Sequence, residues 1–183
     1  MNLPEDMTLI EITQPGGPEV LQPRQVPLPT AGVGEVLIRV HAAGVNRPDV
    51  IQRAGKYPMK PGMNPNPGLE VAGEVVAVGA GVSAFIVGDK VCALTNGGGY
   101  AQYCAVPASQ ALPIPEGMDW VQAAAVPETF FTVWANLFDM GGASKGQRAL
   151  IHGGTSGIGT TALMLCREFG VKAFATAGSE EKC

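Results

Sequence analysis

A glycine-rich turn at residues 153–159, with an apolar run on either side, most limits what this chain can fold into. Residues 148–152 form a short apolar strand pattern, residues 157–169 have the length and composition of a helix, and residues 172–177 return to a strand pattern. Strand, turn, helix and strand make one βαβ unit, whose two strands should be parallel and joined by a right-handed crossover. The sequence therefore predicts an α/β segment here.

The glycine turn predicts a dinucleotide site. The backbone between a strand and a helix must turn tightly there, and free N–H groups at the start of the helix attract an anion such as pyrophosphate. The spacing is G-x-x-G-x-G and departs from the G-x-G-x-x-G fingerprint, so the position within the βαβ unit carries the argument. The alternative is that the glycines only make a tight connection between strand and helix. The residues expected to contact the dinucleotide are Gly154, Thr155, Ser156, Gly157, Ile158 and Gly159.

The end of the second predicted strand favours NADPH over NADH. NAD-selective sites place an Asp or Glu there, which bonds the ribose 2′-hydroxyl and would repel a 2′-phosphate. This chain has TAGS at 176–179 instead, followed by EEK. The hydroxyl of Ser179 and the cation of Lys182 suit a 2′-phosphate. The alternative is that residues 180–182 are simply the solvated start of a helix.

The rest of the sequence predicts a different kind of domain. Up to about Pro113 the apolar runs are short, rich in Val and Ile, and separated by Gly and Pro, which is typical of a β-rich, partly closed barrel. Residues 120–140 favour a helix in two pieces, interrupted near Pro127. The fold class is therefore mixed α/β. The predicted strands of the first part are residues 8–12, 35–42, 73–78, 90–93 and 101–106.

Composition and charge indicate which classes of binding partner the chain lacks. The net charge is −4 with 12 Lys and Arg residues and no basic run, so we expect no nucleic-acid and no membrane partner. No apolar stretch approaches the roughly 18 residues of a membrane span, and the N-terminus has no signal-like pattern, so we expect a cytoplasmic protein. The cysteines lack the paired spacings of zinc or redox sites and are expected to be small buried or incidental residues. They are Cys92, Cys104, Cys166 and Cys183.

Several separated segments carry a family likeness: GEVLIRV at 34–40, AAGVNRPD at 42–49, PGLEVAG at 67–73, GDKV at 88–91 and QAAA at 122–125. Together with the glycine turn, they resemble the zinc-free, zeta-crystallin-like quinone oxidoreductase branch of the medium-chain dehydrogenase/reductase superfamily. The resemblance implies a GroES-like catalytic domain over residues 1–125 and a Rossmann nucleotide-binding domain over residues 126–183, with a substrate cleft between them.

The resemblance also implies that no metal is bound. Zinc members of the superfamily carry a catalytic Cys where this chain has Asn46, and a His-Glu pair where it has Leu69 and Glu70. They also carry a four-cysteine lobe, which residues 88–113 lack. Oxidising an alcohol needs a base or Lewis acid to take up the hydroxyl proton, whereas passing a hydride to a quinone or an activated alkene does not. The missing ligands therefore indicate a reductase.

By the same resemblance, Asn46, Asp49 and Tyr57 lie on the catalytic-domain side of the cleft. Asn46 or Tyr57 could hydrogen-bond a substrate carbonyl oxygen as it gains charge. The alternatives are a capped helix start for Asn46 and Asp49, and ordinary surface packing for Tyr57.

Three further residues are considered for a role, and only Thr132 has competing interpretations. Thr132 aligns with a family threonine near the nicotinamide carboxamide, or it simply bonds its own helix backbone. His41 and His152 fall within predicted strands and are interpreted as structural.

The function implied is an NADPH-dependent reductase that transfers a hydride to a quinone. One alternative is an enoyl or enal reductase of the same family, and another is a non-catalytic NADPH- or RNA-binding crystallin-like protein. A Rossmann domain normally has about six parallel strands, whereas this sequence supplies two. We therefore expect the chain to be part of a longer enzyme that forms a homodimer, and to have little activity alone.

Overall fold

A computed structural model describes residues 3–182 of the chain, so Cys183 lies outside the described part. The chain divides into two compact units, the first ending at Pro127 and the second beginning at Glu128. No helix within residues 3–182 combines the length and the hydropathy needed to cross a bilayer.

The first unit is built on antiparallel strands. Strands β1 and β2 form a two-stranded sheet, and β1 also makes an antiparallel bridge from Leu9 to Ala101, while the other five strands form one sheet in the order β6-β3-β4-β5-β7. Two irregularities in the pairing of β3 with β4 mark bulges, which bend a strand. The strand bounds are β1 Asp6–Ile12, β2 Leu21–Pro27, β3 Glu35–Ala43, β4 Glu70–Val78, β5 Lys90–Leu94, β6 Tyr103–Pro107 and β7 Ala111–Pro113.

The five-stranded sheet buries side chains on both faces. Val71 and Val91 belong to the larger core cluster, whereas Ala72 and Cys92, one residue further along each strand, belong to a second cluster with Ala123 of helix α2 (Trp120–Ala124). Neighbouring residues of a strand point to opposite faces, so both faces of β4 and β5 are covered. This explains why these strands have continuous apolar runs.

The five strands predicted in this unit are confirmed, but β2 and β7 were missed. Strand β2 contains Pro23 and Arg24 and is largely exposed, because it pairs only with β1 and covers no core. Proline and charge are typical of such edge strands and conceal the alternation that would predict a strand. Strand β7 has three residues, too few to show a period.

The helical segment is broken as predicted. Helix α2 ends at Ala124, and helix α3 (Pro127–Val133) begins at Pro127. Proline is tolerated at the first helical position because an N–H there would have no partner within the helix. Residues Trp134–Met140 continue α3 as a π-helical segment, which the sequence did not predict. A further short helix, α1 (Arg47–Arg53), was foreseen only as a capped helix start at Asn46.

The second unit contains the predicted βαβ arrangement. Strands β8 (Arg148–Ile151) and β9 (Lys172–Ala175) are parallel neighbours, joined through helix α4 (Gly157–Glu168). Both strands end sooner than predicted, because the Thr176 carbonyl accepts a hydrogen bond from the Gly154 N–H (2.8 Å) of the glycine turn. His152 therefore lies in the turn and not in a strand, and its predicted placement was wrong. His41 does lie in β3, where its ring stacks on Trp120 at 4.5 Å.

Candidate functional site

The glycine turn of the second unit is held in one shape by side-chain hydroxyls. Ser156 is the N-cap of α4: its Oγ accepts a hydrogen bond from the Gly159 N–H (3.0 Å) and donates one to the Gly153 carbonyl (2.8 Å). The Thr176 hydroxyl accepts from the Gly153 N–H (3.1 Å). The turn is thus tied both to the helix that follows it and to the end of β9.

Two of the glycines allow the backbone segments to approach closely. A Cβ on Gly159 would collide with the Gly153 carbonyl oxygen and would lie 2.7 Å from the Gly154 backbone, while a Cβ on Gly154 would lie 2.6 Å from Ala175 Cβ. Real Cβ atoms do not approach this closely. A tight strand-to-helix connection therefore accounts for these two glycines.

The same connection leaves donors for a ligand. Within residues 3–182, no hydrogen-bond acceptor is found for the backbone N–H groups of Thr155, Gly157 and Ile158, and these three residues are exposed. They lie at the N-terminus of α4, where the helix dipole is positive. A phosphate or pyrophosphate group suits this position, so the turn fits the dinucleotide predicted from its sequence.

The other predicted cofactor residues lie on segments next to this turn. Thr132 is half-buried on α3. Thr129, one turn earlier on that helix, lies beside the glycine turn, since a Cβ added to Gly157 would be 3.5 Å from its Cγ2. The Thr132 carbonyl accepts a hydrogen bond from the Asn136 side chain. Ser179 and Lys182 are exposed and follow β9, with the Lys182 N–H donating to the Ser179 carbonyl (3.2 Å).

In the first unit, Asn46 and Asp49 meet at the start of α1. Asn46 is the N-cap, and its backbone N–H donates to Asp49 Oδ2 (2.8 Å). Asp49 is only 5% exposed and also accepts hydrogen bonds from the Gly68 N–H (3.2 Å) and the Tyr100 hydroxyl (2.8 Å). The capped helix start is therefore present, and Asp49 is a buried acceptor with three donors.

A second buried carboxylate joins this cluster. Glu70 is 3% exposed, and its Oε1 accepts a hydrogen bond from Asn46 Nδ2 (2.8 Å). Burial raises the pKa of the Tyr100 phenol, and so do its hydrogen bond to Asp49 and the negative charges of Asp49 and Glu70. Tyr100 thus stays protonated and donates.

Tyr57 is not part of this cluster. It is half-buried and lines a surface pocket together with Pro58, Met63 and Asn96 among others, whereas Asn46 and Asp49 do not line that pocket. Of the three catalytic-domain residues proposed from sequence, the structure brings Asn46 and Asp49 together and leaves Tyr57 elsewhere.

Sequence reasoning missed three residues, two that contact Asn46 or Asp49 and one that holds the glycine turn. Glu70 stands in the PGLEVAG segment but was considered only as the second residue of the pair that replaces the His-Glu pair of zinc members, and Thr176 was considered only for cofactor choice. Tyr100 gave no signal, because nothing local in GGGYAQ indicates that its hydroxyl reaches a carboxylate far away in the sequence.

The three described cysteines, Cys92, Cys104 and Cys166, are buried and form no disulfide, which confirms their interpretation as small buried residues. Burial raises the pKa of the Cys104 thiol to about 12. Among residues 3–182, no group of three or more His, Cys, Asp or Glu side chains is arranged to hold a metal ion.

Comparison with known proteins identifies the first unit. Residues 32–116 match the family model described as the alcohol dehydrogenase GroES-like domain. The chain is similar to the quinone oxidoreductase of Rattus norvegicus, with 41% identity over 96% of this chain and 54% of that protein. It thus spans about half the length of the curated relatives it matches.

Solved structures show the same relationship. The mycobacterial protein Rv1454c complexed with NADPH superposes with a TM-score of 0.80 at 34% identity, over 96% of this chain and 54% of that one. The CurK enoyl reductase superposes with a TM-score of 0.86 at 28% identity, over 98% of this chain and 56% of that one. The mixed α/β fold with a GroES-like first domain is confirmed. Residues 32–116 thus carry a GroES-like domain of the alcohol dehydrogenase type, and the chain as a whole is similar to quinone oxidoreductases of the medium-chain dehydrogenase/reductase superfamily.

Proposed function

We propose that this chain carries the dinucleotide-binding turn and the acceptor-contacting residues of a cytoplasmic, zinc-free, NADPH-dependent reductase that transfers a hydride to a quinone. The observation that carries the proposal is the turn at Gly153–Gly159, where three backbone N–H groups at the N-terminus of α4 have no acceptor within residues 3–182. The similarity to quinone oxidoreductases supports the choice of acceptor. We also propose that the full protein is a homodimer with residues 1–125 as the catalytic domain and residues 126–183 within the nucleotide-binding domain.

In this proposal each part of the chain has a task. The N–H groups of Thr155, Gly157 and Ile158 bind the pyrophosphate, and Ser156 keeps them in place through its bonds to Gly153 and Gly159. Thr132 contacts the nicotinamide end. The bound nicotinamide supplies the hydride.

On the acceptor side, Asn46 donates a hydrogen bond to the carbonyl oxygen that gains charge during reduction. Asp49 holds the Asn46 backbone and, with its three hydrogen-bond donors, is not free to act as an acid. Tyr57 remains a candidate for the outer part of the acceptor site, through the surface pocket that it lines.

The donor set supports a reaction without zinc. Asn46 and Leu69 stand where zinc members of the superfamily carry ligands, and an amide and an alkyl side chain do not replace a thiolate and an imidazole. Turnover of the full protein should therefore persist after prolonged dialysis against a strong chelator. A loss of activity that added zinc restores would contradict this part of the proposal.

Cofactor choice is tested at Lys182. Replacing Lys182 with Ala should weaken NADPH binding and leave NADH binding unchanged, because only NADPH has the 2′-phosphate. Lys182 is exposed, and an exposed ion pair contributes about 0.2 to 1 kcal/mol, so the expected loss is about 1.4- to five-fold in Kd. Titration of the full protein by fluorescence measures both affinities.

Lys145→Ala provides the matched control. The Lys145 side chain lies against Gly170, beyond the C-terminus of α4, and the twelve residues of that helix separate it from the glycine turn by about 18 Å. This variant should bind both cofactors as the unmodified protein does. Equal loss of NADH and NADPH affinity in the Lys182 variant would refute the assignment of the 2′-phosphate contact.

An enoyl or enal acceptor is the second candidate, favoured by the high structural similarity to the CurK enoyl reductase. A panel of acceptors that contains quinones and conjugated enals separates the two candidate functions. Turnover is followed by the loss of NADPH absorbance. Higher kcat/KM for quinones supports the proposal, while higher kcat/KM for enals replaces it with the second candidate. Tight NADPH binding without turnover of any acceptor would instead indicate a non-catalytic binding protein.

A further inference from the structure

We propose that Tyr100 and Glu70 are positioning residues, which together fix the orientation of the Asn46 amide toward the acceptor. The inference rests on the reductase function proposed above. It assigns a role to two buried polar side chains that lie outside the contacts expected from sequence.

Asn46 is held at two points by two different carboxylates. Its backbone N–H donates to Asp49 Oδ2 (2.8 Å), and its side-chain Nδ2 donates to Glu70 Oε1 (2.8 Å). Because Glu70 Oε1 is the acceptor and an amide donates only through its nitrogen, the nitrogen of the Asn46 amide faces Glu70. With main chain and side chain both held, the Asn46 amide is restricted in its rotation.

This orientation leaves one donor for a ligand. The Nδ2 group carries two hydrogens, and Glu70 accepts one of them. Within residues 3–182 the structure contains no acceptor for the second, and the Asn46 side chain is half-buried, not enclosed. That hydrogen can therefore point toward the oxygen of a bound acceptor.

Tyr100 acts on Asn46 through Asp49. The Tyr100 hydroxyl donates to Asp49 Oδ2, the same oxygen that accepts the Asn46 backbone N–H. The Tyr100 main chain is held on both sides. The Tyr100 N–H donates to the Pro67 carbonyl (3.2 Å), and the Tyr100 carbonyl accepts from the Ile10 N–H (2.8 Å). Removing the hydroxyl therefore takes away one of the three hydrogen bonds that hold the Asp49 carboxylate, and leaves those from the Asn46 and Gly68 N–H groups.

Glu70 is confined by its surroundings. A Cβ on Gly44 would occupy the position of the Glu70 carboxyl group, so the glycine makes room for this side chain. The Gly44 N–H also donates to the Glu70 carbonyl (3.2 Å). The Glu70 carboxyl group thus fills the space beside Gly44 while it accepts the hydrogen bond from Asn46.

The first experiment compares Tyr100→Phe with Tyr103→Phe in the full protein. Tyr103, three residues along the chain on β6, is also half-buried and makes no hydrogen bond to Asp49 within residues 3–182, so its variant removes a matched hydroxyl. We expect Tyr100→Phe to lower kcat/KM for the acceptor about ten-fold, equivalent to one lost hydrogen bond to a charged group of about 1.4 kcal/mol. Tyr103→Phe should remain within two-fold, and NADPH affinity should be unchanged in both.

A double-mutant cycle separates positioning from general stability. If Tyr100 acts through Asn46, Tyr100→Phe should have no further effect on kcat/KM once Asn46→Ala is present. Full additivity of the two losses would overturn the proposal, as would equal behaviour of the two tyrosine variants.

A second measurement does not depend on turnover, so it distinguishes failure of the positioning role from failure of the reductase function. In spectra of the full protein labelled with 15N-asparagine, the Asn46 side-chain amide should exchange slowly with solvent. The slow exchange should persist in Glu70→Gln, whose amide oxygen still accepts a hydrogen bond, and disappear in Glu70→Ala. Unchanged exchange in Glu70→Ala refutes the proposal whether or not the protein reduces quinones.

Discussion

Replacing Gly159 with Ala should damage the glycine turn itself. Gly159 is the third residue of α4, and its N–H donates to Ser156 Oγ at 3.0 Å. An added Cβ would collide with the Gly153 carbonyl oxygen and lie 2.7 Å from the Gly154 backbone. Because the colliding atoms belong to the main chain, a side-chain rotation cannot relieve the contact.

The magnitude follows from three contributions. Overpacking of this kind costs about 1 to 3 kcal/mol, and weakening the Ser156 cap costs up to about 1 kcal/mol. The higher helix propensity of Ala offsets up to about 1 kcal/mol, and less in a first turn. We therefore expect the free energy of unfolding to fall by about 1 to 3 kcal/mol, which lowers Tm by several degrees in a domain of about 150 to 250 residues.

Thermal and denaturant unfolding of the full protein measure this change, and NADPH titration shows whether the displaced turn also binds more weakly. Gly157→Ala is the matched control for stability, because its Cβ would make only an ordinary contact of 3.5 Å with Thr129. That variant should be as stable as the unmodified protein, or slightly more so. If Gly159→Ala melts at the same temperature and binds NADPH within two-fold, the close approach is not what the turn requires.

Two further predictions concern titratable groups. Because the pKa of Tyr100 is raised in the folded protein, the contribution of Tyr100 to stability should be complete below the ordinary tyrosine value of about 10 and should be lost as the pH rises above it. Urea unfolding across that range should show a fall in stability, and Tyr100→Phe should make the fall smaller, leaving the part that the buried thiols contribute. The buried thiols of Cys92, Cys104 and Cys166, whose pKa values are raised by burial, should resist iodoacetamide at about pH 8 and react after unfolding. Rapid labelling of Cys104 in the native protein, detected by peptide mapping, would contradict its burial.

The local parts of the fold were predictable because they follow short patterns. The strands around Val36 and Val75 show apolar runs bounded by turns, and the βαβ unit follows from a glycine turn between a strand and a helix. These patterns reflect backbone preferences within a few residues. Where the pattern was absent, as in the exposed edge strand β2, or where a turn interaction at Thr176 shortened β9, the prediction failed.

The glycine turn and the cluster around Asn46 show which features the sequence determined and which it did not. Sequence alone determined the mixed α/β class, the βαβ unit and the position of the glycine turn, since each depends on neighbouring residues. Only the tertiary structure decided that Asn46 meets Glu70 across 24 residues and that Asp49 meets Tyr100 across 51. Such contacts depend on the course of loops and on strand register, because Asn46, Asp49 and Tyr100 lie outside strands, while a shift of one residue in register would turn Glu70 of β4 to the opposite face of the sheet.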